Sequence, residues 1–344
     1  MSAVVRSILE TRTSDCDTFC HCHNPPILGG RETNMSFTAP RENHETRVHK
    51  VYVCGYDFNQ FASAVLPEYV TGSVPENGDE SVFDILLVGM HGGCDRSVQS
   101  KFSGKVVYLN GESDIDFMSH GSYYLGPRSS FARFGVQEAQ FYYVQLAALE
   151  IPVAFETFKL RPTTYPTKFL LYVSSRCLPH REDAFDLFST IGNVTTGGKC
   201  QGTQVHVDRV EPGHESLSLN PAWYRAHKLY EDYKFGMVFE NTNRAGYVTE
   251  KILNAFIGGT VPIYFGTTEV SLIFNTKAFI HYDVENPAET LTRVKFLMEN
   301  PAEYSKVKEQ PVLAPGAYEN YFSLHSEEAG QVASMLRTFL EIEE

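Results

Sequence analysis

Residues 234–266 read KFGMVFENTNRAGYVTEKILNAFIGGTVPIYFG, and this stretch decides the fold predicted for the chain. The apolar run FGMVF and the later run VPIYF each have the length and composition of a buried strand. Between them, apolar residues recur at helical spacing from Ile252 to Gly259. The stretch therefore predicts a strand, a loop, a helix and a second strand, which is the repeating unit of a parallel α/β sheet.

The loop of this stretch ends at the N-terminus of the predicted helix. Unpaired backbone amides and the positive end of the helix dipole favour an anion there, and ligands of open α/β sheets gather outside the carboxyl ends of the strands. Helix electrostatics favour Glu250 in the first turn but give no reason for a cation such as Lys251. Taken alone, Glu250 is explained by helix electrostatics and Lys251 by solvent exposure. Together with the loop, Lys251 indicates a bound phosphate.

The same alternation of strands and helices extends in both directions along the chain. Before the stretch RPTTYPT, we predict strands at 51–54, 82–88 and 106–109, a helix at 132–149 and a closing strand IPVAF. After it, we predict strands KFLLYVSS, FGMVFE, TVPIYFG and AFIHY, and helices at 181–191, 221–233, 249–257 and 287–298. The predicted fold class is α/β, with two Rossmann-like domains that face a cleft.

This alternation divides the 344 residues into four parts. We predict a flexible N-terminal extension at 1–45, an N-terminal α/β domain at 46–158, a C-terminal α/β domain at 166–320 and a C-terminal helix within 321–344. The extension contains the cluster DCDTFCHCH at 15–23. Its spacing differs from that of usual zinc sites, so a flexible tail is favoured over a zinc site.

Composition excludes several classes of partner. The chain is 42% hydrophobic and 21% charged, with a net charge of −13, so it can bury a core but repels nucleic acid and anionic membranes. Two or three basic side chains can still hold a pyrophosphate. Seven cysteines do not suggest a disulfide framework, which favours a reducing compartment. The absence of a run of about 20 apolar residues predicts no membrane anchor.

The motifs FEN, GYVTEK and the paired glycines before VPIYFG occur together at close spacing. This set resembles the signature of the inverting α-1,3/1,4-fucosyltransferases, in which FENS, YVTEK, a helix and a VPI strand follow one another. Thr242 stands where that family has serine. KVVYLNGES, KFLLYVSS with REDAF, and AFIHYDV also resemble family stretches in the same order. The resemblance covers residues 45–310, is weakest in the first domain, and implies the GT-B arrangement of glycosyltransferases.

The resemblance implies a donor site for GDP-β-L-fucose. Asn241, Tyr247, Glu250 and Lys251 would line it, and Arg181 would join Lys251 in neutralising the departing pyrophosphate. Glu250 would accept hydrogen bonds from ribose or fucose hydroxyls, and Tyr247 could pack on a ring. The two fixed cations imply that no metal is obligatory, with Mg²⁺ or Mn²⁺ as a stimulating ion.

Glu112 is the candidate general base. An inverting displacement needs one carboxylate to take the proton of the acceptor hydroxyl, and Glu112 follows a predicted strand end. Ser113 stands where the family often has asparagine, and Asp114 and Asp116 are rival bases.

Aromatic residues make up 13% of the chain and include candidates for contact with an acceptor sugar. Tyr123 and Tyr124 are the first candidates, although core packing is the commoner use of such residues. The cluster FYY at 141–143 and the histidines His91 and His120 are weaker candidates. The resemblance implies an oligosaccharide acceptor that contains GlcNAc or Glc.

The leading hypothesis is therefore transfer of L-fucose, with inversion, to a glycan hydroxyl that becomes an α-1,3 or α-1,4 fucoside. A transferase for another nucleotide sugar, or an inactive glycan-binding protein on the same fold, is the alternative. Animal members of the family carry an N-terminal anchor in the secretory pathway. We expect a cytoplasmic protein here, and a Golgi location only for a chain that has lost such an anchor.

Overall fold

All elements described here belong to one compact unit, Arg47–Glu344. The computed structural model describes residues 50–54, 62, 70–72, 84–89, 102–112, 123–127, 137–140, 142, 144–145, 165–202, 221–322 and 331–340. The cysteine–histidine cluster at 15–23, the strand IPVAF, His91, Asp114, Asp116 and His120 lie outside these residues. No helix in the described ranges is long and apolar enough to span a bilayer.

The first sheet has six parallel strands in the order β2-β1-β3-β4-β5-β6. The strands are β1 (Lys50–Cys54), β2 (Val70–Gly72), β3 (Ile85–Val88), β4 (Lys105–Leu109), β5 (Tyr123–Gly126) and β6 (Gln137–Gln140). The three predicted strands are confirmed as β1, β3 and β4. Every residue of β3 is buried, as expected for an apolar strand covered on both faces.

The predicted helix at 132–149 is wrong over its centre. Residues Gln137–Gln140 form β6 and pair in parallel with β5, and only residues 144–145 of the described part are helical. The sequence QEAQ has no strand pattern because an edge strand needs a backbone partner on one side only. Tertiary pairing overrides the helical spacing of the flanking apolar residues.

The second sheet has five parallel strands in the order β11-β10-β9-β7-β8. They are β7 (Lys168–Ser174), β8 (Val194–Gly198), β9 (Tyr233–Phe239), β10 (Val261–Phe265) and β11 (Ile280–His281). The chain runs from β7 outward to β8 and then returns to the other side of β7 as β9. The strand order reverses between β7 and β9, and ligands of such sheets bind at this switch point, outside the carboxyl ends of the strands.

A π-helix spans Tyr318–Phe322, and seven α-helices have described bounds, six of them within the part of the chain that forms the second sheet. They are α1 (Pro179–Ser189), α2 (Pro221–Tyr230), α3 (Glu250–Ile257), α4 (Val270–Ile273), α5 (Pro287–Glu299), α6 (Pro301–Lys308) and α7 (Gln331–Leu340). The four helices predicted after RPTTYPT are confirmed as α1, α2, α3 and α5. Helix α2 ends at Tyr230, earlier than predicted, because a turn at 231–232 leads into β9. No element was predicted at β8, α4 or α6.

The first sheet contacts the end of the chain and the loop before α3. Helix α7 reaches β4 and β5, where the Tyr123 and Phe339 rings stack with centroids 4.4 Å apart. After β6, the Val144 amide donates to the Val248 carbonyl at 3.0 Å. The Gln145 side chain donates to the Tyr321 carbonyl at 2.8 Å. These bonds fix the position of the motif GYVTEK relative to the first sheet.

A disulfide joins Cys177 to Cys200, with Cα atoms 5.3 Å apart. Cys177 lies in the loop between β7 and α1, and Cys200 follows β8. No disulfide was expected from the cysteine content, and this pair departs from that expectation. The bond connects the loop that leads to Arg181 to the neighbouring strand.

Removal of this disulfide is expected to lower the free energy of unfolding. The bond closes a loop of 23 residues, so Cys177→Ser should cost about 2–4 kcal/mol, chiefly because the unfolded chain gains freedom. Urea unfolding of the wild type with and without dithiothreitol measures the same loss. The variant should not respond to the reductant, and a wild type equally stable in both conditions would contradict this expectation.

Candidate active site

Arg181 connects the carboxyl ends of β7 and β9 at the switch point. It lies in the first turn of α1 and is 3% exposed. Its Nη1 donates to the Ser174 hydroxyl at 3.1 Å and to the Arg176 carbonyl at 3.0 Å. Its Nη2 donates to the Phe239 carbonyl and, at 3.0 Å, to Asn241 Oδ1. One guanidinium thus organises both loops of the crevice.

These bonds constrain what Arg181 can do for a ligand. A guanidinium has five N–H donors, and the four on the terminal nitrogens have protein acceptors here. Burial lowers the pKa of Arg181 while the Glu240 carboxylate opposes that effect, and an arginine remains charged in either case. Arg181 can therefore act on a pyrophosphate through its charge and through Asn241. The neutralising role proposed from the sequence stays a prediction.

Lys251 lies beside three negatively polarised groups at the start of α3. Its Nζ is 3.2 Å from Glu240 Oε2, 2.9 Å from Thr249 Oγ1 and 3.9 Å from Glu250 Oε1. The Lys251 side chain is 30% exposed, while the Glu240 side chain is completely buried. A cation that contacts a buried carboxylate on one side and solvent on the other can bind an anionic ligand.

Glu112 is held by a buried asparagine at the end of β4. Asn110 Oδ1 accepts a hydrogen bond from the Glu112 amide at 2.8 Å, and Asn110 Nδ2 donates to the Glu112 carbonyl at 3.0 Å. The same Nδ2 lies 2.8 Å from the Tyr124 hydroxyl, which donates to the Pro127 carbonyl. The first sheet therefore presents Glu112 on a rigid turn.

Tyr247 connects Glu112 to the switch point. Its hydroxyl accepts a hydrogen bond from Asn241 Nδ2 at 3.1 Å and lies 3.4 Å from Glu112 Oε2. Burial, with nearby carboxylates, raises the pKa of Tyr247 well above its ordinary value, so the hydroxyl stays protonated and can donate a hydrogen bond to Glu112. Arg181, Asn241, Tyr247 and Glu112 form one continuous chain of contacts across the two sheets.

Tyr247→Phe is expected to reduce turnover about threefold to tenfold, because the carboxylate of Glu112 loses the hydroxyl that orients it. The phenyl ring remains, so binding of GDP should change by less than twofold. Steady-state kinetics and GDP titration separate the two effects. A rise in KM for the donor with unchanged kcat would instead assign Tyr247 to donor packing.

The structure buries both tyrosines proposed as acceptor contacts. Tyr123 is 6% exposed and stacks on Phe339, and Tyr124 is completely buried beneath Asn110. Neither ring has an open face for a sugar. Their burial favours core packing, the alternative that the sequence left open, and Tyr124 supports Glu112 from behind.

Four polar residues at this site were not predicted from the sequence: Asn110, Glu240, Thr249 and Glu269. Asn110, Glu240 and Thr249 are at most 2% exposed. Glu269 Oε2 accepts a hydrogen bond from the Gly246 amide at 2.6 Å and lies 3.4 Å from the Tyr142 hydroxyl. Glu240 belongs to the motif FEN, so its position was visible in the sequence, but its burial was not.

One group of metal-ligand residues occurs in the described part of the chain, formed by Cys177, Glu182 and Cys200. The disulfide removes both thiolates, and Glu182 accepts a hydrogen bond from Tyr172 at 2.6 Å. This group does not fit a catalytic metal site.

Residues 165–309 match the model of the glycosyltransferase family 10 (fucosyltransferase) C-terminal domain. The similarity to that family covers these residues, which make up less than half of the chain. The family 10 segment is the part of the chain that supplies Arg181, Asn241, Tyr247, Glu250 and Lys251. The resemblance found in the sequence is confirmed.

Two curated relatives share sequence with the chain. The α-(1,3)-fucosyltransferase FucT of Helicobacter pylori is 36% identical over 120 residues, which are 35% of this chain and 22% of that protein. An α-(1,4)-fucosyltransferase of Arabidopsis thaliana is 32% identical over 145 residues, or 39% of this chain and 35% of that protein. The chain thus spans about a fifth to a third of these relatives.

A solved structure confirms the fold class over both sheets. The crystal structure of an α1,3-fucosyltransferase with GDP has a TM-score of 0.61 to this chain. The match covers 89% of this chain and 94% of that one, with 20% sequence identity. The predicted α/β fold with two Rossmann-like domains is therefore correct, including the first sheet, where the sequence resemblance is weak.

Proposed function

We propose that the protein transfers L-fucose from GDP-β-L-fucose to a hydroxyl of an acceptor glycan, with inversion, to give an α-1,3 or α-1,4 fucoside. The observation that carries the proposal is the contact of Glu112, from the first sheet, with Tyr247 of the family 10 segment. The contact brings a carboxylate to the cationic site where a nucleotide sugar would bind.

Two cations would hold the nucleotide diphosphate. Lys251 is partly exposed at the N-terminus of α3, where free backbone amides also favour an anion. Arg181 adds a buried positive charge nearby. As the bond between fucose and phosphate breaks, negative charge builds on GDP, and both cations stabilise that charge without moving.

Glu112 would act as the general base. The acceptor hydroxyl gives its proton to the Glu112 carboxylate while its oxygen attacks the anomeric carbon of fucose, and the electron pair of the broken bond leaves with GDP. Glu250, partly exposed beside Lys251, would accept hydrogen bonds from donor hydroxyls. Fixed cations can do the work of a metal, so Mg²⁺ or Mn²⁺ would stimulate the reaction but not be required.

The acceptor is proposed from the family alone, as a glycan that contains GlcNAc or Glc. The described part of the first sheet offers Glu112 to an acceptor, whereas Tyr123 and Tyr124 are buried.

A transfer assay tests the proposed function. The full chain is incubated with labelled GDP-fucose, with or without EDTA, and with an array of lactosamine-type and other glycans. We expect labelled product and slow hydrolysis of the donor in both conditions. Folded protein with neither activity would refute the proposal. Thermal shifts with GDP, UDP and CDP sugars test the donor, and a larger shift with a UDP sugar would replace fucose by another sugar.

A further inference from the structure

Glu240 is a buried acid at the centre of the site, and the proposed reaction gives it no role. It directly follows β9 and is completely buried. Its Oε1 accepts from the Thr249 amide at 2.8 Å, and the Thr249 hydroxyl lies 2.9–3.0 Å from both carboxylate oxygens. Lys251 Nζ donates to Oε2 at 3.2 Å. Every partner of the carboxylate is a donor, which fits an ionised acceptor; burial raises the pKa of Glu240, and the Lys251 charge and the Thr249 hydrogen bonds lower it.

Glu240 and Thr249 together hold the ammonium of Lys251 in place. The ammonium contacts Glu240 Oε2 and also donates to Thr249 Oγ1 at 2.9 Å, so two rigid acceptors fix its position. Lysine is otherwise a flexible side chain with high rotamer entropy. The positive end of the α3 dipole repels an ammonium in the first turn, so Lys251 needs this local support.

Gly266, which ends VPIYFG, leaves room for the Glu240 side chain beneath Lys251. A Cβ at Gly266 would lie 3.0 Å from Glu240 Cγ and 2.4 Å from the Tyr264 hydroxyl. Glu240 of the motif FEN and Gly266 at the end of VPIYFG therefore lie close together. A side chain at position 266 would therefore displace Glu240 from its contact with Lys251.

We propose that Glu240 is a positioning residue for donor binding, which together with Thr249 holds the Lys251 ammonium where it meets the nucleotide diphosphate. The inference rests on the proposed function, since it needs a diphosphate at Lys251. Glu240 itself does not touch the ligand.

Simple electrostatics makes the opposite prediction, and this allows a sharp test. Glu240 is an anion beneath an anion-binding site, so its charge alone repels a diphosphate. If Glu240 contributed only this field, Glu240→Gln would strengthen GDP binding. If Glu240 positions Lys251, the same variant weakens GDP binding, by about tenfold for the loss of one charged hydrogen bond.

The pH dependence supplies a second readout. Burial lowers the pKa of Lys251, the carboxylates of Glu240 and Glu250 raise it, and Arg181 lowers it, with a net rise above the ordinary value. Glu240→Gln removes the larger of the two carboxylate effects. Lys251 then loses its proton at lower pH, so GDP affinity should fall on the alkaline side at a lower pH than in the wild type.

Calorimetric titration of the full chain with GDP tests the inference. We expect Glu240→Gln and Thr249→Val to bind GDP about tenfold more weakly than the wild type. Thr249→Ser, which keeps the hydroxyl, should bind within about twofold of the wild type. Thermal melting verifies that each variant is folded, and if Glu240→Gln is not, the Thr249 pair decides.

The outcomes separate this inference from the proposed function. A folded wild type that binds no GDP contradicts the proposed function itself. A wild type that binds GDP, with variants that bind equally or more tightly, overturns the role of Glu240 alone. If GDP affinity falls at the same alkaline pH in Glu240→Gln as in the wild type, the role of Glu240 is likewise overturned.

Discussion

Glu112→Gln is expected to reduce fucosyl transfer by about a hundredfold to ten-thousandfold, the usual contribution of a general base. Glutamine keeps the size of the side chain and the backbone bonds to Asn110 at 2.8 and 3.0 Å, so the turn after β4 should stay intact. It cannot accept a proton from the acceptor hydroxyl. Single-turnover transfer measurements with saturating donor isolate this step.

Binding of GDP is the control for this variant. Glu112→Gln should bind GDP as the wild type does, because none of its contacts involves Lys251. Unchanged turnover would show that Glu112 is not the base. Asp114→Asn and Asp116→Asn would then be made, since these are the rival carboxylates of the sequence.

Arg181→Ala is expected to lower the free energy of unfolding by about 3–5 kcal/mol, as for the loss of one partner from a buried charged network. The substitution leaves the Ser174 hydroxyl, the Arg176 and Phe239 carbonyls and the Asn241 amide oxygen without their donor. It also takes one cation from the surroundings of Glu240. Urea unfolding measures the loss.

An exposed arginine on the same domain provides the matched control. Arg293 is exposed, and its guanidinium lies over the face of Phe296, 5.5 Å from the ring centroid. Arg293→Ala should therefore change stability by less than about 0.5 kcal/mol. Arg181→Lys keeps the positive charge but lacks the planar guanidinium with its several donors. An intermediate loss in the free energy of unfolding is therefore expected. Equal stability of Arg181→Ala and Arg293→Ala would contradict the organising role of Arg181.

Three strands of the second sheet, β7, β9 and β10, were predictable because their signals are local. The runs FLLYV, FGMVF and VPIYF within them are apolar and uninterrupted, as expected of strands covered on both faces, and α3 has its apolar residues at helical spacing. Prolines mark the starts of α1, α2 and α5. Strand Gln137–Gln140 lacked such a signal, and a helix was predicted there instead.

The site was predictable only as a set of residues. The motif placed Asn241, Tyr247, Glu250 and Lys251 near the start of one helix, because they lie within eleven positions of one another. Burial is a property of the packed chain, so Glu240 and Tyr124 could not be recognised as buried from their neighbours in sequence. The disulfide likewise joins two cysteines 23 positions apart, whose pairing depends on the order of β7 and β8.

The sequence by itself determined the parallel α/β class and the helix N-terminus at Lys251, since apolar periodicity and helix polarity are properties of short segments. Only the tertiary structure decided that Glu112 meets Tyr247, 135 positions away, and that Glu240 lies beneath Lys251. Strand order and sheet packing bring such residues together, and these depend on the burial of the whole chain rather than on any local pattern.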